Sequence, residues 1–365
     1  MFSVADHLHM ARALKLAELG RFTARPNPMV GCVLVRDGAI IGEGWHATAG
    51  SAHAEINALR DAGDASGATA YVTLEPCAHH GKTPPCTEAL IEAGIAEVVA
   101  AVEDPNPEVN GQGLARLRAA GIKVRSGLME QSARALNRGF FTRVITGKPF
   151  LRIKIAASLD GALAMRGGES QWITGPESRR DVQRLRAVSG AVMSGIGTVL
   201  ADDPSFTVRE SSIDTGGMQP WRVIVDTHLR MPLSAGMLCL PGRTLVYCVD
   251  DAARPALEDA GADVVQTAAD GDTVDLNEVL LDLGRQGVND LLVEAGPALS
   301  GSLVSADLAD ELVIYQAPHI MGSETISMFH TPAWTALADR RGLDIVDTRR
   351  IGADTRITAR FRRQP

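Results

Sequence analysis

The 365-residue sequence has no long apolar run, few cysteines and no surplus of basic residues. No apolar stretch approaches the roughly 20 residues needed to span a bilayer, and the N-terminus lacks the basic start and apolar core of a secretory signal. The 36 Lys and Arg residues are outnumbered by 44 Asp and Glu, and the resulting net charge of −8 disfavours a broad surface for nucleic-acid backbones. We therefore expect neither a membrane nor a nucleic-acid partner.

Cysteine is scarce, and its count is odd. The five cysteines are spread over the chain, which fits a reducing compartment better than a disulfide framework. We therefore expect a cytoplasmic protein. Cys32, Cys239 and Cys248 occur within or beside apolar runs, and we predict that they are small buried side chains.

The length of the chain exceeds what one hydrophobic core usually supports, so two domains are expected. The first half has a hairpin signal at Asp37-Gly38, followed by alternating helical and strand patterns, which predicts a mainly parallel sheet covered by helices. A helical pattern over 130–147 ends near Pro149, and a strand–helix order restarts at Phe150. We expect α/β domains over residues 1–148 and 149–365, with an irregular loop at 210–220 and a closing hairpin in the tail.

A histidine and two cysteines between residues 51 and 86 carry the strongest chemical signal. One neutral imidazole and two thiolates, from His53, Cys77 and Cys86, match the three protein ligands of a catalytic zinc with an open position for water. Glu55 lies two residues after His53 near the start of a predicted helix, where it can move protons to and from that water without binding the metal.

The spacing of the cysteines departs from the common pattern. Zinc nucleobase deaminases share H-x-E followed by P-C-x-x-C, whereas eight residues separate Cys77 from Cys86 here. This argues against an ordinary cytidine, guanine or tRNA-editing deaminase and requires a family with a longer insertion. A structural zinc site completed by His79 or His80 is the alternative, although such a site has no need of Glu55.

Several segments together resemble one family. The segments PNPMVGCVLVRDG, HAE, VTLEPCAHHGKTPPC, DPNP and ASLDG with ESQWIT are similar to the bifunctional pyrimidine deaminases and reductases of bacterial riboflavin biosynthesis, and the resemblance covers nearly the whole chain. It implies a cytidine-deaminase-like α/β/α domain that uses Zn²⁺ to hydrolyse the exocyclic amine of a diaminopyrimidinone ribosylamine phosphate. It implies that a dihydrofolate-reductase-like α/β domain follows and uses NADPH to reduce the ribosyl group to a ribityl chain.

In the first domain, the resemblance implies that His53, Cys77 and Cys86 bind zinc and that Glu55 is the proton shuttle. It also implies a pyrimidine or phosphate pocket lined by Asn27, His46, His79 and Lys82. We further expect a small phosphorylated pyrimidine as substrate, and a homo-oligomer that is either a dimer or a tetramer.

The second domain has weaker signals of its own. It lacks a complete G-x-G-x-x-G, but LLVEAGPALSGS has the pattern of a phosphate cradle, in which a strand ends, small residues follow and a helix begins. A tight turn without any ligand is the alternative. The resemblance implies cofactor positions at Ala156, Trp172, Thr198, Asp202, Thr227, Gly296, Pro297, Ala298, Leu299, Ser300, Gly301 and Ser302. It implies substrate positions at Lys154, Ser170, Arg186, Phe206, Arg209 and Glu294.

Some alternatives stay open. Asp202 and Glu294 are both candidates for the proton donor in the reduction. For the whole chain, one alternative is a zinc deaminase of another nucleotide or of tRNA with a C-terminal ligand-binding module. The other is a non-catalytic ligand-binding protein that zinc stabilises. Neither alternative predicts that the protein oxidises NADPH.

Overall fold

The computed structural model describes residues 1–78, 85–106 and 109–362. The chain separates into two compact units, Met1–Gly147 and Lys148–Pro365. No helix in the described ranges is long and apolar enough to cross a membrane.

The first unit is a three-layer α/β/α structure. Its strands are β1 (Gly31–Arg36), β2 (Ala39–Trp45), β3 (Thr69–Val72), β4 (Glu97–Ala100) and β5 (Lys123–Ser126). Its helices are α1 (Val4–Ala17), α2 (Ala54–Ala62), α3 (Cys86–Glu92), α4 (Gln112–Ala119), α5 (Glu130–Leu136) and α6 (Arg138–Thr146). The sheet order is β2-β1-β3-β4-β5, and β3, β4 and β5 are parallel. Apolar residues of α2, α3 and α4 pack in one core, and those of α1, α5 and α6 pack in another.

The predicted hairpin is confirmed, because β1 and β2 pair antiparallel around a two-residue turn. Asp37 and Gly38 have φ values of 53° and 78°, the left-handed conformation that this tight turn requires at both positions.

The helical stretch predicted over 130–147 is two helices rather than one. The break is at Asn137, which has φ −108° and ψ 30°. Its side-chain amide accepts a hydrogen bond from the Met29 N–H at 2.7 Å and donates one to the Met29 carbonyl at 2.8 Å. This tertiary contact satisfies the buried amide, and the local pattern could not have predicted it.

The second unit is built on a nine-stranded sheet in the order β11-β10-β9-β8-β14-β6-β15-β18-β17. The strands of the second unit, inside and outside this sheet, are β6 (Phe150–Ala157), β7 (Ala162–Met165), β8 (Ala191–Gly195), β9 (Trp221–Val225), β10 (Thr244–Cys248), β11 (Asp263–Gln266), β12 (Ala269–Asp270), β13 (Thr273–Val274), β14 (Asp290–Val293), β15 (Glu311–Gln316), β16 (Thr325–Ser327), β17 (Leu343–Ile351) and β18 (Asp354–Phe361). Its helices are α7 (Pro176–Val188), α8 (Ile196–Asp202), α9 (Arg254–Asp259), α10 (Leu276–Arg285) and α11 (Pro297–Ser305).

Seven strands of this sheet are parallel to one another, namely β11, β10, β9, β8, β14, β6 and β15. The closing hairpin of β17 and β18 adds two antiparallel strands, as predicted. The carboxyl ends of β8, β14 and β6 therefore lie side by side, which is where open α/β sheets bind ligands. The segment 210–220 contains neither helix nor strand, also as predicted. The short strands β7, β11, β12, β13 and β16 and the helices α8, α9 and α10 were not predicted.

The prediction of buried cysteines is correct for Cys32 and Cys248 and wrong for Cys239. Cys239 ends a short 3₁₀ turn at Gly236–Cys239 and its side chain is exposed, whereas the other two lie within strands of the cores.

Candidate active sites

The predicted zinc ligands of the first unit lie together. His53 precedes α2, Cys86 begins α3, and Cys77 follows β3. The His53 Nδ1 atom is 3.2 Å from the Cys86 Sγ and 3.6 Å from the Cys77 Sγ, and the three ligand atoms all lie within 4.8 Å of one another. Within the described ranges, this is the one group of three or more such side chains that could hold a metal ion. One nitrogen and two sulfurs at these separations fit a tetrahedral zinc ion with an open position.

The surroundings of Cys77 favour its thiolate. Hydrogen bonds with the Cys86 thiol and with His53 lower the pKa of Cys77, and they outweigh the effect of burial. The backbone N–H of Cys86 also donates to the Cys77 Sγ at 3.3 Å. A thiolate is the form of cysteine that binds zinc.

Glu55 lies beside this cluster without belonging to it. It is the second residue of α2 and only 3% exposed. Burial, followed by the negative charge of Cys77, raises the pKa of Glu55 to about 7. A zinc ion at the neighbouring ligands has the opposite influence, because a cation favours the carboxylate.

Two glycines of β2 allow α2 to lie close to the sheet. A Cβ atom added at Gly42 would lie 2.4 Å from the Ala58 carbonyl oxygen, and one at Gly44 would lie 2.3 Å from the Ala54 carbonyl oxygen. The helix that follows His53 and carries Glu55 can therefore approach β2 only because Gly42 and Gly44 have no side chains.

One of the four predicted pocket residues, His46, lies next to a zinc ligand, and a second, Asn27, is hydrogen-bonded to His46. The His46 ring centroid is 5.5 Å from that of His53. Burial lowers the pKa of His46, so its ring is neutral; Nδ1–H donates to the Ala52 carbonyl at 3.2 Å, and Nε2 accepts from the Asn27 amide at 3.0 Å. The predicted pocket residues His79 and Lys82, and also His80, lie outside the described residues.

Sequence reasoning missed one buried carboxylate beside the cluster. Glu75 lies two residues before Cys77, is 4% exposed, and accepts hydrogen bonds from four backbone N–H groups. An acidic residue directly after an apolar strand, in VTLEPC, was the available signal.

In the second unit, four of the six predicted substrate residues lie together: Lys154 and Arg186 contact Glu294, and Phe206 lies beside Arg186. Glu294 follows β14, next to Lys154 on β6, whose Nζ is 3.4 Å from the Glu294 Oε2. Arg186 of α7 donates from Nε to Oε1 at 2.6 Å and from Nη2 to Oε2 at 3.0 Å. The Arg186 Nη1 atom donates to the Thr207 carbonyl at 3.1 Å, and its guanidinium lies 5.8 Å from the centre of the Phe206 ring.

The two cations keep Glu294 ionised. Burial by itself would raise the pKa of Glu294, but the charges of Arg186 and Lys154 outweigh it and lower that pKa to about 2. Nε, Nη1 and Nη2 of Arg186 each donate one hydrogen bond to a protein oxygen, which uses three of the five N–H donors of its guanidinium.

Outside the segment 296–302, the other predicted substrate and cofactor side chains are more exposed. Arg209 is exposed, and its guanidinium contacts the Ser205 hydroxyl. Asp202, at the end of α8, is also exposed and accepts from the Gln171 amide at 3.4 Å. Trp172 is 69% exposed, with the Arg179 guanidinium 4.4 Å from its ring. Ser170, Ala156, Thr198 and Thr227 are half-buried.

The predicted phosphate cradle has free space over its backbone. Gly296 directly precedes α11, and a Cβ atom added there would meet only the Thr198 Oγ1, at 4.0 Å. The start of a nine-residue helix with an open approach fits the phosphate of a dinucleotide such as NADPH. Gly301 differs, because a Cβ there would lie 1.9 Å from the His330 carbonyl oxygen, so packing explains this glycine.

The two units match two different family models. Residues 3–102 match the cytidine and deoxycytidylate deaminase zinc-binding region, and residues 149–356 match the RibD C-terminal domain.

Single proteins match both units together. The riboflavin biosynthesis protein RibD of Escherichia coli strain K12 is 48% identical over 359 residues, which cover 96% of this chain and 97% of that protein. The RibD protein of Haemophilus influenzae is 43% identical and covers 98% of each chain.

Solved structures match over the same length. Acinetobacter baumannii RibD, form 1, has 43% identity and a TM-score of 0.93, covering 98% of this chain and 99% of that one. A protein from Thermotoga maritima, described as a diaminohydroxyphosphoribosylaminopyrimidine deaminase and 5-amino-6-(5-phosphoribosylamino)uracil reductase, has 32% identity and a TM-score of 0.85 with the same coverage.

Proposed function

The chain belongs to the RibD family of riboflavin biosynthesis proteins, bifunctional enzymes with a zinc-dependent deaminase and an NADPH-dependent reductase, and we propose that it acts on the substrates named for the Thermotoga maritima relative. The first unit deaminates 2,5-diamino-6-(5-phosphoribosylamino)pyrimidin-4(3H)-one. The second unit reduces the ribosyl group of the deaminated product to ribityl. We propose that the enzyme works in the cytoplasm as a homo-oligomer, either a dimer or a tetramer.

For deamination, His53, Cys77 and Cys86 hold the zinc ion, and Glu55 moves the protons. Zinc, when bound, supplies a Lewis acid that makes water a nucleophile near neutral pH. The Glu55 carboxylate takes a proton from the attacking water and delivers it to the leaving amine. The hydrogen-bonded pair of Asn27 and His46, adjacent to His53, orients the pyrimidine.

For reduction, NADPH supplies a hydride, and the residues around Glu294 position the sugar. Glu294 is ionised, so it accepts hydrogen bonds from ribose hydroxyls and does not donate the proton in the reduction. Arg186 holds Glu294 in place, whereas the exposed Arg209 binds the substrate phosphate. The backbone at Gly296 receives the cofactor phosphate.

The main support for this proposal is the cluster of His53, Cys77 and Cys86, with Glu55 beside it. The cluster lies in a chain that matches a whole RibD protein over nearly its full length. The two alternatives, a tRNA or other nucleotide deaminase and a non-catalytic zinc protein, are not favoured. Neither accounts for a second unit that matches the RibD C-terminal domain.

The test is a coupled assay with the purified full-length protein. Given the diamino substrate without NADPH, it should release ammonia and accumulate the deaminated product. Addition of NADPH should then cause a fall in NADPH absorbance, with one cofactor oxidised for each product molecule reduced. Absence of NADPH oxidation with supplied deaminated product would contradict the proposal and favour one of the two alternatives.

A further inference from the structure

The buried carboxylate of Glu75 joins three segments of the first unit. Its backbone N–H donates to the Val102 carbonyl at 2.9 Å, which holds Glu75 beside the chain that follows β4, where β3 and β4 end. Its side-chain oxygens accept hydrogen bonds at 2.8–3.2 Å from the backbone N–H groups of Asp104, Gly111, Gly113 and Leu114. The last two belong to the first turn of α4, whose own preceding residue, Gly111, offers no capping side chain. Glu75 therefore caps a helix that is distant in the sequence.

The first turn of α4 lies directly against the residue that precedes Cys77. A Cβ atom added at Gly113 would lie only 2.0 Å from the Pro76 carbonyl oxygen. The Pro76 backbone is therefore in close contact with α4, and a shift of the helix start must move Pro76 and, with it, Cys77.

The same helix also contacts the chain after Cys77 and the helix that carries Cys86. Arg116 of α4 donates to the Ala78 carbonyl at 3.2 Å and forms an ion pair with Glu88 of α3 at 2.6 Å. One short helix thus touches the backbone on both sides of Cys77 and the helix that Cys86 begins.

We propose that Glu75 is a positioning residue for zinc: by capping α4, it holds the Cys77 and Cys86 sulfurs at the separation that the metal requires. The inference rests on the proposed zinc ligands. Glu75 does not touch the cluster and acts through α4 and Pro76.

The test is a measurement of zinc affinity by competition with a chelator, using the full-length protein. In Glu75→Gln, the side chain keeps one acceptor oxygen and turns an amide NH₂ toward backbone donors, so the cap loses about half of its hydrogen bonds. We expect zinc to bind about tenfold more weakly, at the lower end of the 10- to 100-fold losses typical of residues just outside the ligands. Gly113→Ala should give a similar loss although Glu75 is intact, because the new methyl displaces Pro76.

Asp6→Asn is the matched control. Asp6 is a similarly buried carboxylate of the same unit, bonded to the Ser3 N–H, Arg125 and Tyr71, but it lies on α1, which packs in the other core. It should lower the Tm while zinc binds as in the wild type. A cooperative thermal unfolding transition of the first unit reports that each variant is folded.

Different results would contradict the positioning role of Glu75 and the proposed zinc ligands. Wild-type zinc affinity in both Glu75→Gln and Gly113→Ala, with only a lower Tm as in the control, would overturn the positioning role. If Glu75→Gln does not fold, Gly113→Ala alone decides. If Cys77→Ser still binds zinc as the wild type does, the proposed ligand set is at fault instead.

Discussion

The two units contain buried glutamates with opposite electrostatics. Glu55 is 3% exposed and Glu294 is 8% exposed, so burial penalises the charged form of both. The pKa of Glu55 is raised to about 7, because burial is reinforced by the charge of Cys77. The pKa of Glu294 is lowered to about 2, because the charges of Arg186 and Lys154 outweigh burial. The neighbours, rather than the depth of burial, decide whether such a group can hold a proton.

This difference separates two kinds of work. In the proposed mechanism, Glu55 exchanges protons with water and the leaving amine, while Glu294 is a permanent anion that orders the groups around it. Substitutions at these residues and their partners should therefore give different signatures.

Glu55→Gln should nearly abolish deamination and keep zinc, because the amide preserves shape but cannot transfer the proton, a step worth roughly 10²- to 10⁴-fold. Metal content and ammonia release are measured together. Glu43 is a half-buried glutamate of β2 paired with Arg12, and Glu43→Gln is the control that should change neither. Loss of zinc from Glu55→Gln, or an unchanged rate, would contradict the role of shuttle.

Glu294→Gln should destabilise the second unit by about 3 to 5 kcal/mol, because it leaves two largely buried cations without their anion. Denaturant unfolding measures this free energy. The half-exposed pair of Glu177 and Arg180 provides the control: Glu177→Gln should cost no more than about 1 kcal/mol. Equal effects of the two substitutions would show that the Glu294 cluster is not a coupled ion network.

The same residue predicts a pH dependence of stability. The pKa of Glu294 is about 2 in the folded protein, below its ordinary value of 4.5, so the contribution is complete above the unfolded-state value and is lost as the pH falls toward 2. The loss should be on the order of 3 kcal/mol in the wild type. Between about pH 5 and pH 2, the free energy of unfolding should change less with pH in Glu294→Gln than in the wild type. Parallel curves for the two proteins would argue against a lowered pKa.

Arg209→Ala should raise the KM for the phosphorylated substrate roughly 10- to 150-fold, because a charge-assisted contact to phosphate is lost. NADPH affinity, titrated by fluorescence, should not change. A loss of NADPH affinity with an unchanged KM would instead place Arg209 at the cofactor.

Gly296→Val should weaken NADPH binding about tenfold with little change in Tm, because overpacking typically costs ~1–3 kcal/mol and here the ligand, not the protein, meets the new side chain. Gly301→Ala is the contrasting variant and should lower the Tm, since its Cβ meets the His330 backbone. Equal NADPH affinity of Gly296→Val and the wild type would remove this turn from the cofactor site.

Local sequence patterns were sufficient to predict the parts of this protein whose chemistry is local. The Asp37-Gly38 turn requires two positive φ angles, and the hairpin forms there. His53 and Glu55 are two residues apart at a helix start, so a pattern of residue types was enough to predict that they share a site. The resemblance of whole segments extended the prediction to the second unit, including the residues that meet at Glu294.

The surroundings of those groups depend on contacts that form only in the folded protein. Arg186, Lys154 and Glu294 are far apart in the sequence, and only in the folded chain do the two cations pair with the carboxylate. Asn137 breaks a continuous helical pattern because its amide bonds to Met29, and Glu75 caps a helix that begins well beyond it. Hydrogen bonds and charges act over a few ångströms in space, whatever the separation along the chain, so no local pattern could have shown these contacts.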